Sequence, residues 1–323
     1  MSGYKHLTKE HTAERLKGLS DVAILIHKNP DGDAVGSAAA LANVLRQLGA
    51  RPYVLSSDKI PERLKFILEY TETKVREAAI SDAAISIDVA SPAQLGSLRE
   101  TAPAPMLMID HHEMGEMIAD AYIIPGAASA SEALFDVIEV LIDEKSIVLN
   151  KQLAYAIYAA TSSDTGCFAY SNASAKTHAL AAKLISVGID TADINHRLFN
   201  SKSPEQIRAE GYVATVIKTA AAGRIGYATL TLKDLERLGL TLEHFDTAID
   251  VVRTLRGIEV ALFLKETEEG VFKASMRSTG LNVAEICAGH GGGGHIRAAG
   301  CTLKGDDINS VAKELTEEIA KII

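Results

Sequence analysis

Aspartates and histidines follow several apolar segments of this sequence, in clusters that could hold metal ions. These residues are His27, Asp31, Asp33, Asp88, Asp110, His111, His112 and Asp164. If they met at one place, they could not be buried without a compensating cation, because unpaired buried charges are costly. Oxygen and imidazole ligands without thiolates favour Mn²⁺, Mg²⁺ or a similar divalent ion over a structural zinc site. Two such ions about 3.5–4 Å apart would suit in-line phosphoryl displacement, with one generating hydroxide and both stabilising charge on the phosphate.

The segments that carry these residues alternate between short apolar runs and longer helical patterns. The predicted strands are Val22–His27, Tyr53–Ser56, Ala84–Val89 and Met106–Asp110, and the predicted helices are Ala34–Leu48, Ser131–Asp143, Lys151–Ser162 and Ala175–Val187. This alternation predicts an α/β fold with a parallel sheet and flanking helices. Ligand sites of such sheets lie beyond the carboxyl ends of the strands, so the clusters are expected to converge there. Ser129 and Glu132 have capping-box spacing, which favours a role in starting a helix over one in catalysis.

The second part of the chain has a different pattern. A polar stretch between Asp190 and Pro204 precedes a predicted long helix, Glu205–Ala222, and marks a domain boundary. The strands predicted after it are Ile225–Leu230, Ile258–Leu264, Val271–Met276 and Ala299–Leu303, and a terminal helix is predicted at Asn309–Ile322. The polar turn Glu266–Gly270 predicts an antiparallel hairpin. We therefore expect an N-terminal parallel-sheet domain at 1–189, a linker and helix start at 190–208, and a smaller α/β domain with a mixed sheet at 209–323.

Each chemical motif also has a plainer interpretation when it is taken alone. Asp31-Gly32-Asp33 is typical of a turn followed by a helix N-cap. Asp88 could be a surface strand end, and Asp164 a helix terminus near a glycine turn. The metal site is favoured because the acids and histidines recur at the same end of successive elements.

A glycine run near the C-terminus offers backbone N–H groups in a bare loop. Gly289–Gly294 contains a formal G-x-G-x-x-G, but it follows a predicted helix and precedes a strand, which is the wrong context for a dinucleotide-binding turn. A loop of this kind beside His295 and Arg277 suits phosphate or ribose contacts. The alternative is a flexible connection.

Composition limits the classes of protein that need to be considered. The 323 residues predict about two domains, and no stretch approaches the roughly 18 apolar residues of a membrane span. With no apolar signal segment at the start, we expect a cytoplasmic protein. Cys167, Cys287 and Cys301 lack Cys-x-x-Cys spacing and are expected to be reduced, buried thiols. The net charge of −9 disfavours binding of a long polyanion, while short substrates remain compatible with a local metal cluster.

The motifs resemble those of a known enzyme family. His27-x-Asn29-Pro30-Asp31-x-Asp33, Asp88, Asp110-His111-His112 and Asp164 resemble the four motifs of the DHH phosphoesterases. Arg277-Ser278, Asn282-Val283, Gly291–His295 and Ala298-Ala299-Gly300 resemble the DHHA1 substrate domain. Together they cover nearly the whole chain and are most similar to the short, two-domain NrnA-like group of nanoRNases and pAp phosphatases.

This resemblance implies a role for each motif residue. His27 and Asp31 would hold one ion, Asp33, His111 and Asp164 the other, and Asp88 would bridge both. Asp110 would orient a neighbouring imidazole, as ligating histidines commonly require, and His112 would contact the substrate phosphate. Substrate contacts in the second domain would come from Arg277, Ser278, Gly292, Gly293 and His295. The implied cofactor is a pair of divalent ions, Mn²⁺ foremost, with Mg²⁺ or Co²⁺ as alternatives. One departure is Gln94, at a position where many relatives are expected to carry an arginine. How a distal phosphate would be bound is therefore left open.

The expected activity is hydrolysis of short nucleotide phosphoesters by a homodimer. The substrates would be oligoribonucleotides a few units long, pAp or linear dinucleotides such as pApA, without long duplexes or membranes as partners. An inorganic pyrophosphatase would share the metal half but is disfavoured by the Gly291–His295 loop. A processive single-strand exonuclease is disfavoured by the acidic balance and the lack of a separate basic domain. A non-catalytic nucleotide sensor is disfavoured by the complete set of metal ligands.

Overall fold

The computed structural model describes residues 3–81, 83–112 and 115–323. The chain forms two compact units, Met1–Ser201 and Lys202–Ile323. Among the described residues, no helix is both long enough and apolar enough to span a membrane.

A parallel sheet of five strands forms the centre of the first unit. The strands are β1 (Asp21–Leu25), β2 (Arg51–Leu55), β3 (Ala83–Ile87), β4 (Leu107–Asp110) and β5 (Ala121–Ile123), in the order β2-β1-β3-β4-β5. All neighbouring strands pair in parallel. The carboxyl ends of β1, β3 and β4 are therefore adjacent at one edge, and the predicted parallel sheet is confirmed. The short strand β5 was not predicted.

Helices surround this sheet, and most of them pack on one of its faces. They are α1 (Lys9–Leu16), α2 (Gly32–Gln47), α3 (Lys65–Tyr70), α4 (Leu98–Thr101), α5 (Ala130–Asp143), α6 (Lys151–Asp164), α7 (Ala175–Ser186) and α8 (Thr191–Asn195). Because side chains alternate along a strand, Val22 and Ile24 of β1 lie in one buried cluster, and Ala23 and Leu25 in another. As expected, Ser129 starts α5, and its hydroxyl accepts the Glu132 N–H at 3.1 Å.

Helices α2 and α6 pack closely because small residues line their interface. A Cβ atom on Gly36 of α2 would lie 2.7 Å from the Ala160 Cβ and 2.9 Å from the Ala156 carbonyl oxygen of α6. This packing brings the first turn of α2, which carries Asp33, beside the last turn of α6, which carries Asp164.

Gly36→Ala is therefore expected to lower the free energy of unfolding by about 1–3 kcal/mol, because the added methyl meets backbone atoms that cannot rotate away. The matched control is Gly211→Ala, which lies in a helix with nothing within 4 Å of its Cβ position. That change should stabilise the protein by up to about 1 kcal/mol through helix propensity alone. Urea denaturation measures both, and equal stabilisation by the two variants would contradict the close contact of α2 with α6.

The second unit contains a mixed sheet of six strands with helices on both faces. Its elements are α9 (Pro204–Val216), β6 (Lys218–Ala220), β7 (Ile225–Leu230), α10 (Leu232–Leu238), α11 (Ile249–Arg253), β8 (Val260–Glu268), β9 (Val271–Ser278), α12 (Val283–Gly289), β10 (Gly293–His295), β11 (Ala298–Lys304) and α13 (Ile308–Ala320). The strand order is β10-β11-β9-β8-β7-β6, with β7 and β8 parallel and the other pairs antiparallel. The predicted mixed sheet and the hairpin of β8 and β9 are confirmed.

Two sequence predictions were wrong in detail. The helix predicted to run to Ala222 ends at Val216, because Lys218–Ala220 leaves the helix and pairs with β7. Cys287 and Cys301 are buried, as expected, but Cys167 is exposed. Cys167 lies in a turn with left-handed backbone (φ 59°) just after α6, and such turns run over the surface.

Candidate metal centre

The first cluster lies in the turn between β1 and α2. The ring of His27 donates from Nδ1 to the Lys28 carbonyl oxygen at 2.7 Å, which directs Nε2 towards two carboxylates. Nε2 lies 3.7 Å from Asp31 Oδ1 and 3.5 Å from Asp88 Oδ2. Asp31 is also the N-cap of α2, because its Oδ1 accepts the N–H groups of Asp33 and Ala34, each at 3.0 Å. The N-cap interpretation and the ligand interpretation of Asp31 are thus compatible.

Asp33 is fully buried and is held by hydrogen bonds from two helices. Its Oδ1 accepts the Ser37 hydroxyl at 2.7 Å, one turn along α2, and its Oδ2 accepts the Ala130 N–H at 2.6 Å. Ala130 is the first residue of α5, so the carboxylate also lies at the positive end of that helix dipole.

Asp88 follows β3 in a left-handed backbone conformation, with φ 57°. This conformation is uncommon outside glycine, although aspartate tolerates it better than most residues, and surrounding contacts hold it here. The Asp88 N–H donates to the Ile109 carbonyl oxygen of β4 at 3.1 Å. The side chain is almost completely buried between the histidine clusters.

Asp110 is the last residue of β4, and His111 and His112 follow it. Oδ1 of Asp110 accepts from the His111 N–H at 2.7 Å and from the His112 ring at Nδ1, also at 2.7 Å. The His111 ring donates from Nδ1 to the Ala127 carbonyl oxygen at 2.9 Å. Its Nε2 therefore faces three carboxylates, at 3.7 Å from Asp33, 3.6 Å from Asp88 and 3.7 Å from Asp164.

The electrostatics of the cluster show a need for positive charge. Burial and the charge of Asp88 raise the pKa of Asp33 to about 7. Burial and the charges of Asp33 and Asp31 raise the pKa of Asp164 well above its usual range. Burial disfavours the charged form of His27, but the adjacent carboxylates of Asp31 and Asp88 outweigh it and raise the pKa of His27 to about 12. A bound cation would remove the repulsion among the carboxylates.

The donor atoms fit divalent ions. The groups that offer ligand atoms within 4.8 Å of one another include His27, Asp31 and Asp88, and Asp33, His111 and Asp164. A further group combines Asp88 with Asp110, His111 and His112. The histidine-to-carboxylate distances of 3.5–3.7 Å exceed those of ordinary N–H···O hydrogen bonds. Such spacings are compatible with two donors that each lie about 2.0–2.2 Å from a shared ion. Carboxylate oxygens with a few imidazoles suit Mn²⁺ or Mg²⁺.

Comparison with known proteins identifies two domains in this chain. Residues 21–161 match the DHH family, N-terminal domain, and residues 225–321 match the DHHA1 domain. The chain belongs to the DHH phosphoesterase family. DHH phosphoesterases are metal-dependent hydrolases, so the chain is an enzyme that cleaves phosphate esters.

The relatives and neighbours cover almost the full chain. A protein of Thermus thermophilus, named bifunctional oligoribonuclease and PAP phosphatase NrnA, is 28% identical over 95% of this chain and 92% of its own length. A protein of the same name from Bacillus subtilis is 25% identical over 90% of this chain and 91% of its own length. The crystal structure of an exopolyphosphatase-related protein from Bacteroides fragilis has the same fold, with a TM-score of 0.85 and 22% identity. The match covers 97% of this chain and 96% of that protein.

In the DHHA1 unit, the residues expected to contact substrate lie at one end of the sheet. His295 of β10 pairs with Ala298 of β11, and Ala298 pairs with Arg277 of β9. Residues directly opposite each other share a face, so Arg277 and His295 lie in one row about 10 Å apart. Arg277 donates from Nη1 to the Met276 carbonyl oxygen at 2.9 Å, and the Ser278 hydroxyl donates to the Leu281 carbonyl oxygen.

The glycine loop beside this row has little room for side chains at one position. A Cβ atom on Gly292 would lie 2.2 Å from the Gly300 carbonyl oxygen, whereas a Cβ on Gly293 would meet nothing within 4 Å. The Gly292 N–H donates to the Cys287 carbonyl oxygen at 2.8 Å, which anchors the loop to α12. The loop is therefore attached to the unit at Gly292 and is not a wholly flexible connection.

Sequence reasoning missed several residues that hold the DHH centre in place. Ser37, which donates to Asp33, could have been found from its i,i+4 spacing on a predicted helix. Asp58, which accepts the Asn29 N–H at 2.8 Å, carries no local signal. Gln94 was noted only for the missing arginine, yet its side chain accepts the Ala90 N–H at 2.6 Å.

Proposed function

We propose that this chain hydrolyses short nucleotide phosphoesters with two divalent ions, Mn²⁺ foremost. The proposed substrates are oligoribonucleotides a few units long, pAp, which would give AMP, and linear dinucleotides such as pApA. The observation that carries the proposal is the pair of donor groups at one sheet edge, linked by Asp88, which lies 3.5 Å from His27 and 3.6 Å from His111. The names of the relatives from Thermus thermophilus and Bacillus subtilis support the substrate class.

These distances support the ligand assignment that the family resemblance implies. His27 and Asp31 would hold one ion, Asp33, His111 and Asp164 the other, and Asp88 would serve both. The chemistry that two ions supply in such a centre is activation of water and neutralisation of charge on the phosphate. The protein's own contribution is orientation: the backbone carbonyls of Lys28 and Ala127 fix the rings of His27 and His111.

Asp110 and His112 would act next to the ligands and not as ligands. Asp110 holds Nδ1 of His112, so the contact of this ring with a substrate phosphate would be made by Nε2. Burial would lower the pKa of His112, but the hydrogen bond with Asp110 and the nearby carboxylates outweigh it and raise the pKa to about 9. A protonated ring at this place would donate a charge-assisted hydrogen bond to phosphate.

The most direct test offers the purified protein, with Mn²⁺, three substrates in parallel: pAp, a diribonucleotide and pyrophosphate. We expect turnover of the first two and little of the third. Rapid hydrolysis of pyrophosphate alone would favour the pyrophosphatase alternative, and tight binding without turnover would favour a sensor. The expected homodimer is tested by measuring the molar mass of the protein by light scattering as it elutes from gel filtration.

The DHHA1 unit is proposed to hold the nucleotide through Arg277, Ser278, Gly292, Gly293 and His295. Arg277→Ala should then leave metal content unchanged but lower kcat/KM for nucleotide substrates about tenfold to a hundredfold, since a charge-assisted contact contributes roughly 1.5–3 kcal/mol. A small activated phosphodiester that lacks the rest of the nucleotide should be hydrolysed nearly as well as by the wild type. Arg256→Ala, which removes an exposed arginine of the same unit, is the matched control. An equal loss for both substrates in folded, metal-loaded Arg277→Ala would show that Arg277 acts in the chemical step.

A further inference from the structure

Gln94 lies where three loops of the proposed metal centre meet. Its carbonyl oxygen accepts the Lys28 N–H at 2.6 Å, in the loop between His27 and Asp31. Its side-chain Oε1 accepts the Ala90 N–H at 2.6 Å, two residues after Asp88. The Ala90 carbonyl oxygen in turn accepts the Glu116 N–H at 2.8 Å, four residues after His112. We call the contacts of Gln94 with Lys28 and Ala90 the Gln94 clamp.

The two loops joined directly by the clamp each contain a residue with left-handed backbone. Asp88 has φ 57° and Asn29 has φ 51°, a conformation that is uncommon outside glycine, although aspartate and asparagine tolerate it better than most residues. Before Asp88 the chain is held by β4, through the Ile109 carbonyl oxygen. After Asp88, the described hydrogen bonds of Ala90 to Gln94 and Glu116 hold it on the other side.

We infer that Gln94 is a positioning residue, which keeps the His27–Asp31 loop in register with the Asp88 loop so that both present their ligands to the same ion. This inference rests on the proposed two-metal function. The relevant distance is the 3.5 Å between His27 Nε2 and Asp88 Oδ2, because these two groups lie in the loops that the clamp joins. Partners outside the ligand set that fix its orientation commonly change metal affinity about 10–100-fold when they are removed.

The clamp also explains why an amide occupies this position. An arginine side chain has five donors and no acceptor, so it could not accept the Ala90 N–H. The amide oxygen of Gln94 can, and this contact uses the side chain to hold the loop. The clamp therefore assigns position 94 to loop geometry and not to a charged grip on a distal phosphate.

The test compares Gln94→Ala, Gln94→Glu and Gln47→Ala with the wild type. Gln94→Ala removes the side-chain oxygen that accepts the Ala90 N–H, but it keeps the backbone carbonyl that accepts the Lys28 N–H. Gln94→Glu keeps a side-chain oxygen as acceptor for Ala90. Gln47 is the matched control, because its Oε1 also accepts a backbone N–H, that of Val148 at 2.9 Å, but it lies at the end of α2 opposite Asp31. Asp31 and Gln47 are therefore separated by about 24 Å along the helix axis. Each full-length protein is stripped of metal, and Mn²⁺ binding is measured by titration calorimetry. Amide hydrogen exchange is followed in peptides that contain His27–Asp31 and Asp88–Gln94.

We expect Gln94→Ala to exchange faster in both peptides and to bind Mn²⁺ about 10–100-fold more weakly. Gln94→Glu should recover most of the affinity, and Gln47→Ala should change neither measurement. Unchanged exchange at His27–Asp31 and unchanged Mn²⁺ affinity in a folded Gln94→Ala protein would overturn the clamp. A wild type that binds Mn²⁺ but hydrolyses no nucleotide would refute the proposed function alone. A wild type that binds no Mn²⁺ would refute the two-metal proposal and with it the positioning role.

Discussion

Asp88→Asn is expected to lower turnover of short nucleotide substrates by at least about 10³-fold, the largest effect of any single ligand change. The Asp88 carboxylate is proposed to bridge and would then serve both ions, so the loss of its charge should weaken both positions at once. Asparagine tolerates left-handed backbone and has nearly the same shape, so the φ of 57° at this position can be kept. Alanine would add backbone strain, so a loss of activity could come either from that strain or from the missing carboxylate. Turnover of pAp and metal content by mass spectrometry after gel filtration measure the effect.

The control for Asp88→Asn is the same substitution at an aspartate outside the ligand set. Asp136 on α5 pairs with Lys176 at 2.8 Å, so Asp136→Asn should keep both ions and most of the activity. Circular dichroism on all three proteins separates loss of metal from loss of fold. Full occupancy of both positions in an active Asp88→Asn protein would contradict the bridging assignment.

The convergence of the metal-ligand candidates could be predicted because it depends on topology and not on side-chain packing. In a parallel sheet the carboxyl ends of neighbouring strands share one edge, so His27, Asp88 and Asp110 had to meet once β1, β3 and β4 were recognised as strands. Asp31 and Asp33 followed from the start of a helix with clear periodicity. Asp164 was located at the end of a predicted helix, but its approach to the sheet edge depends on the packing of α2 against α6 around Gly36.

Contacts between residues far apart in sequence could not be predicted in this way. The hydrogen bond from the Ala130 N–H to Asp33 joins residues 97 positions apart, and the bond from the Lys28 N–H to Gln94 crosses from one loop to another. Neither residue type nor periodicity distinguishes these partners from other polar residues. The strand Lys218–Ala220 was missed for a related reason: local propensity allowed a longer helix, and pairing with β7 decided the outcome.

The adjacent histidines of the DHH centre offer the second large effect. His112→Ala is expected to retain both ions but to lower turnover about 10²–10⁴-fold, because the proposed phosphate contact and proton donation by this ring are lost. His111→Ala should lose metal, since Nε2 of His111 faces Asp33, Asp88 and Asp164 at 3.6–3.7 Å. Metal content and single-turnover rates on pAp measure the two variants side by side.

Asp110 tests whether His112 acts in the way proposed. Asp110 Oδ1 accepts from His112 Nδ1 at 2.7 Å. Removal of the Asp110 charge should lower turnover, because the ring of His112 would be less well oriented and less readily protonated. If Asp110 acts through His112, then Asp110→Asn should cost activity in the wild type but little more in the His112→Ala background, because residues that work as a unit are not additive. Additive losses would instead indicate that Asp110 supports the centre through its other bond, to the His111 N–H. Equal loss of metal from His111→Ala and His112→Ala would refute the division of roles between the two histidines, and His112 would then belong to the ligand set.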